Sequence, residues 1–184
     1  MIRYPEGLDT LLSVEDFRML CPNLSATDEQ VAMVLESVSA AIRAWCGWHV
    51  APLTKCQYTG KGSGKLLMLP AMGVQSVDSF KVLGNDVPYE WHEDGMIRLK
   101  SGEFPTDWQS VTCDFTAGFT GQDVGQAVAQ IVSNAIVAAP GVSSEHAGNV
   151  SISYNKTGDG ITGGVSLLAR DYGLLAPYRL YRAW

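Results

Sequence analysis

The apolar residues of this chain change their spacing twice. They recur at about 3.6 residues over 27–46, at about two over 52–118, and at about 3.6 again over 122–138. A strand turns its side chains to alternate faces, and a helix returns them to one face each turn. The order is therefore helix, strands, helix.

The helices carry their own start and stop signals. Residues 13–21 open on Ser13 with Asp16 three positions on, a weak capping box, and Pro22 ends them. Residues 27–46 open on Thr27 with Gln30, a second capping box. Val31, Val34, Leu35, Val38, Ile42 and Trp45 then fall on one stripe, and Gly47 supplies the stop. Over 122–138 the apolar face is Val124, Val128, Ile131, Val132, Ala135 and Ile136, ended by Pro140-Gly141. The helices at 27–46 and 122–138 are expected to pack together.

Between them, residues 56–59, 66–69, 74–83, 87–91, 96–100 and 111–117 read as short strands. Gly84-Asn85-Asp86 and Glu93-Asp94-Gly95 are expected hairpin turns. Residues 150–154 read as one further strand. The predicted fold is α+β: a helical bundle core with a small antiparallel β-sheet inserted at about 54–118, and an extended C-terminal arm. Residues 1–156 form a single domain in this prediction. Residues 157–184 are a glycine-rich leash and a docking arm.

That arm is the most unusual composition in the chain. After Gly158-Asp159-Gly160-Ile161-Thr162-Gly163-Gly164 come Tyr172, Leu174, Leu175, Pro177, Tyr178, Arg179, Tyr181, Arg182 and Trp184. Tyr, Trp and Arg dominate interface hot spots because they bury large area at low entropy cost. These nine residues are the candidate partner-binding set. The competing expectation is that Leu174 to Tyr178 fill a groove in their own domain. Charge favours docking. Residues 151–184 hold four basic residues (Lys156, Arg170, Arg179, Arg182) and two acidic (Asp159, Asp171). A chain of net charge −6 thus has +2 here and −8 elsewhere. A basic aromatic segment on an acidic body suits an acidic neighbour, another copy included.

No constellation for chemistry is legible. Gly60-Lys61-Gly62-Ser63-Gly64-Lys65 falls short of a phosphate loop, because Gly60 stands one residue too close to Gly64, Leu66 replaces the hydroxyl, and a strand follows. A basic, flexible hairpin tip is expected. His49, His92 and His146 have no helical metal-ligand spacing. Cys21, Cys46, Cys56 and Cys113 form no CxxC pair and are expected to be reduced, structural thiols. No cofactor, metal or catalytic residue is assigned, and the chain is expected not to be an enzyme. No signal peptide and no run of about 18 apolar residues is present, so a soluble protein made in the cytosol is expected. The acidic balance disfavours a DNA-clamping surface.

Several segments together resemble the head–tail connector (adaptor, or head completion) proteins of tailed bacteriophages. The helix close Ala41-Ile42-Arg43-Ala44-Trp45-Cys46-Gly47-Trp48 is similar to that family's aromatic-Cys-Gly ending. Leu66-Leu67-Met68-Leu69-Pro70 with Val74-Gln75-Ser76-Val77 resembles its strand pair. Thr116-Ala117-Gly118-Phe119 resembles its strand end. Ser144-Glu145, Gly148 and Ser151-Ile152-Ser153-Tyr154 resemble a further segment, and Leu174-Leu175-Ala176-Pro177-Tyr178-Arg179 its close. The resemblance spans about residues 14–180 and implies a structural virion protein.

Such a protein would form a roughly twelve-fold ring of itself in the neck beneath the portal protein, after a period in the host cytoplasm. It would extend the DNA channel and give a stopper or tail-completion protein its attachment surface. DNA would pass through the lumen without sequence-specific binding, and no membrane is involved. The arm would reach the portal or a neighbouring subunit; Leu180 to Trp184 extend beyond the matching close. Two alternatives stay open on the residues alone. One is a carbohydrate- or host-binding module using exposed Trp91 or Trp108. The other is a Cys/His hydrolase, which would need a cysteine and a histidine to converge.

Overall fold

A computed structural model describes residues 1–137, 144–147, 150–153 and 167–180. The fold is α+β and divides into two compact units. A β unit comprises Met1–Asp9, Cys46–Thr120 and the segment beginning at Tyr178; a helical unit comprises Thr10–Trp45 and Gly121–Pro177. In sequence, the long β segment is inserted between the two helical segments.

The β unit contains β1 (Ile2–Arg3), β2 (Thr54–Gly60), β3 (Leu66–Met68), β4 (Val74–Val82), β5 (Asn85–Asp86), β6 (Tyr89–Trp91), β7 (Met96–Leu99) and β8 (Val111–Ala117). Where the sequence predicts one small sheet, these strands form two antiparallel sheets, β1-β2-β8-β4-β5 and β3-β7-β6. Central β8 shows the expected alternation: Val111, Cys113, Phe115 and Ala117 are buried, with Thr112 and Asp114 exposed between them. Cys56 of β2 and Phe80 of β4 add to the same core, and Leu67 and Ile97 are the buried row of the second sheet.

The first hairpin turn lies earlier than its sequence signal. Leu83 (φ 50°) and Gly84 (φ 79°) make the turn, and Asn85 and Asp86 pair back onto Val82 and Lys81. A two-residue loop with both φ positive matches the twist of the flanking strands. A leucine in that conformation is uncommon, which is why the sequence signal pointed past it. The Glu93-Asp94-Gly95 turn forms as expected, closed by Gly95 N–H to the His92 carbonyl at 2.9 Å.

The helical unit contains α1 (Val14–Leu20), α2 (Asp28–Cys46, whose last residue joins the β unit), α3 (Gly121–Val137), β9 (Ser144–Ala147), β10 (Val150–Ser153) and α4 (Ala169–Leu175). Both caps form as read. Ser13 Oγ accepts from Asp16 N–H at 3.0 Å, and Thr27 and Gln30 exchange reciprocal bonds of 2.9 and 3.3 Å. Val31, Leu35, Val38 and Ile42 are fully buried; Val34 and Trp45 at the stripe's margin are half-buried.

The backbone of α3 comes close to α1 and to α4. Small residues permit the first: a Cβ on Gly125 would meet the Leu20 and Leu12 side chains at 3.4–3.5 Å. The segment entering α1 is tied to α2 through Leu11 N–H to Ser39 Oγ at 3.0 Å. The strand expected at 150–154 pairs with β9 over 150–153.

Candidate functional site

The close of α2 builds the first part of the site. Gly47 takes φ +81°, which stops the helix and turns Trp48 inward. Trp48 donates its indole N–H to the Tyr178 carbonyl at 2.7 Å, and Leu180 N–H donates to the Cys46 carbonyl at 2.9 Å. The end of β8 builds the second part. Gly118 (φ +123°) lets the chain pass so close to Pro52 and His49 that a Cβ would sit 2.7 Å from the Pro52 carbonyl oxygen. Phe119 N–H then donates to the Val50 carbonyl at 2.8 Å, and its ring meets Trp48 at 5.8 Å and Tyr178 at 5.3 Å, edge to face.

His49 completes this cluster. It is buried, and its Nε2–H donates to the Ala117 carbonyl at 2.9 Å, which fixes the tautomer. Its ring lies edge-on to Trp48 at 5.0 Å and to Tyr4 at 5.1 Å. Edge-to-face aromatic contacts of this kind add about 0.5–1.5 kcal/mol each beyond area burial.

In the helical unit, Tyr172 stacks on Trp45 with centroids 5.2 Å apart. Leu175 is 2% exposed, and buried Asp171 accepts from Leu168 N–H at 2.8 Å, capping α4. Leu174 instead edges an open groove of about 240 Å³ lined also by Leu20, Cys21, Ala127 and Gln130.

The predicted partner-binding residues thus divide. Leu175 is buried, and Tyr178 is half-buried and held at Phe119 and Trp48. Tyr172, Leu174 and Pro177 are exposed in the helical unit, and Arg179 is exposed in the β unit. Tyr181, Arg182 and Trp184 lie outside the described residues, as does the glycine-rich leash at 158–164. Sequence reasoning did not find Trp48 and Phe119 as the seat of Tyr178. Their signal was present only as separate motifs, an aromatic after Cys-Gly and an aromatic after Ala-Gly.

The basic hairpin tip, expected to be flexible, is instead held by its neighbours. The Phe104 ring lies against Gly62, Phe104 N–H donates to the Gly64 carbonyl at 2.6 Å, and Lys61 Nζ sits 4.6 Å from the Trp108 ring centre. Trp108 is 84% exposed and Trp91 40%.

The thiols show no sign of activation. Burial pushes Cys46 up to about 11 and Cys56 and Cys113 up to about 12. No group of metal-ligating residues and no helix long and apolar enough to cross a membrane occurs among the described residues.

The chain is thus of the α+β class, with an antiparallel β segment inserted in sequence between two helical segments. The chain belongs to the head completion protein family, which it matches over residues 10–162. Its fold is similar to chains in the neck of an empty GTA particle computed with C6 symmetry (19% identity, TM-score 0.63) and in the neck of a native GTA particle computed with C12 symmetry (18%, 0.61). The virion of a native gene transfer agent particle gives 19% and 0.62. Each likeness covers 100% of this chain and 97% of the other. No curated protein matches the chain.

Proposed function

We propose that this chain is a structural virion protein that joins head to tail. In this reading it forms an adaptor ring in the neck, docks beneath a portal protein, extends the DNA channel and receives a stopper or tail-completion protein. Membership of the head completion family carries the reading. The similar folds in necks computed with C12 and C6 symmetry support a ring, of which we take the twelve-fold form. Residues 1–156 act as one adaptor domain built on a helical core. The role is binding, without catalysis, and the protein passes from host cytoplasm to virion. An acidic body suits a lumen through which DNA slides rather than sticks.

The geometry changes how the C-terminal segment would dock. Leu175 is buried in the helical unit, and Tyr178 is held at Trp48 and Phe119 in the β unit. Tyr172, Leu174 and Pro177 are exposed in the helical unit and Arg179 in the β unit; together with Tyr181, Arg182 and Trp184 they are the docking residues of this reading. Particles produced without this chain are expected to accumulate as separate heads and tails; normal joining would overturn the function. Truncation after Leu180 combined with Arg179→Ala is expected to weaken portal binding at unchanged thermal stability. Undiminished binding would remove the docking role of Arg179 and the residues after Leu180.

Exposure of Trp108 and Trp91 favours one second reading, a carbohydrate-binding module stacking sugars on those rings. Glycan binding by the isolated chain, lost in Trp108→Ala, would support it.

A further inference from the structure

Phe104 anchors the basic hairpin tip in the core beside Phe80, but the side chain of Trp108 stands outside it. Its indole is 84% exposed, the largest exposure among the described large apolar residues. Two loops hold it in place. Gly62 admits the Phe104 ring, Gly64 accepts the Phe104 N–H, and Lys61 lies over the indole at 4.6 Å. A cation over an aromatic face presents positive charge and an apolar edge together. Lys65 and Lys100, both exposed, stand at the bases of the same loops; with exposed Glu103 and Asp107 in the Trp108 loop, the tip holds three lysines against two carboxylates and is net basic.

Charge is partitioned to match. The helical unit's sequence holds nine acidic and four basic residues, −5 of the total −6, and leaves the β unit at −1. On α2, Glu29, Met33 and Glu36 fall on one face, at i, i+4 and i+7, and all are exposed, Met33 at 70%. A polarizable thioether between two carboxylates is the chemical counterpart of an indole beside lysines.

We propose that Trp108 and Lys61 of one copy seat on the α2 face presenting Glu29, Met33 and Glu36 of a second copy. This inference rests on the ring reading, because the two patches differ and a contact between unlike patches closes only around a ring. Trp108 meets Met33, and Lys61 meets Glu29 or Glu36. The indole is preordered, so little side-chain entropy is lost on docking.

The test uses the full chain assembled on its portal. A benzoylphenylalanine at position 108 is expected to crosslink to a neighbouring copy's 28–46 peptide. Trp108→Ala and Lys61→Glu are each expected to weaken self-association at least about tenfold, as hot-spot residues do. Adding Glu36→Lys or Glu29→Lys to Lys61→Glu should restore it. Trp108 and Lys61 are exposed, so these variants keep the fold, which thermal unfolding verifies. If the wild-type chain forms no multimer on the portal, the ring reading falls and this contact with it. If rings form and Trp108→Ala leaves them unchanged, or the crosslinks map elsewhere, only the contact is overturned. Glycan binding that depends on Trp108 would overturn it as well.

Discussion

Trp48 donates its indole N–H to the backbone carbonyl of Tyr178 at 2.7 Å, across 130 positions of sequence. Phe119 packs edge-on against both rings, so one side chain from the α2 close and one from the β8 end grip the C-terminal segment. Trp48→Phe keeps an apolar ring and removes the donor. It is expected to cost about 1–3 kcal/mol, because the carbonyl loses its partner. In a chain of this size that lowers the midpoint of thermal unfolding by about 2–4 °C per kcal/mol. Limited proteolysis should also cut after Tyr178 sooner in the variant, while a stability loss without faster cutting would show that Trp48 serves the core alone.

Gly118 has the most constrained backbone of the strand-end motif. Its φ of +123° disfavours any Cβ, and a Cβ would approach the Pro52 carbonyl oxygen at 2.7 Å and His49 Nε2 at 2.8 Å. Gly118→Ala is therefore expected to destabilise by at least about 2–3 kcal/mol, from backbone strain and from displacement of the His49 bond to Ala117. Gly84 provides the control, since it also has positive φ (+79°) but has nothing within 4 Å. Gly84→Ala should cost only the conformational part, about 1–2 kcal/mol. Chemical denaturation of the two variants side by side measures the difference, and equal losses would show that the close approach at Gly118 is relieved elsewhere.

Local signals were legible where the cause is local. The Ser13 and Thr27 caps, the Gly47 stop and the alternation from Val111 to Ala117 all depend on neighbours within a turn or a pleat. Helix α4 was not legible. It has seven residues, Gly173 among them, and is too short to persist on propensity. Burial of Leu175 and Asp171 holds it, and burial depends on topology. The candidate site followed the same divide. Composition marked the aromatic C-terminal segment, but the seat of Tyr178 at Trp48 and Phe119 arises only when strand order brings residues 46–50 and 117–119 together. Likewise, nothing in the pattern of 66–99 says that β3, β6 and β7 form a sheet of their own.

The raised thiols give a pH dependence with a definite sign. Cys46, Cys56 and Cys113 ionise near 9 when unfolded and at about 11, 12 and 12 when folded. Below pH 9 both states hold these protons, and the stabilisation is fully present. Between pH 9 and about 12 the unfolded chain loses protons that the folded chain keeps, so stability falls across that window. Denaturant unfolding at pH 8, 9.5 and 11 is expected to show a progressive loss, which replacement of Cys56 by Ser should reduce. At pH 8 a thiol reagent should modify half-buried Cys21 well before the three buried thiols. Rapid reaction of Cys46 in the folded protein would contradict this.

Leu175 and Leu174 are adjacent but face opposite demands: one is 2% exposed, the other 38%. Leu175→Ala is expected to cost about 2–5 kcal/mol through the cavity it leaves. Leu174→Ala should be nearly neutral for stability and weaken portal binding. Tyr172→Ala should lose the stack on Trp45, about 0.5–1.5 kcal/mol, and weaken binding as well. Stability by calorimetry and portal affinity by a direct binding assay, measured on the same three proteins, separate holding the segment from docking it. The decisive result is Leu174→Ala: unchanged unfolding with weaker binding supports a docking surface on α4. Unchanged binding would confine docking to residues beyond Pro177.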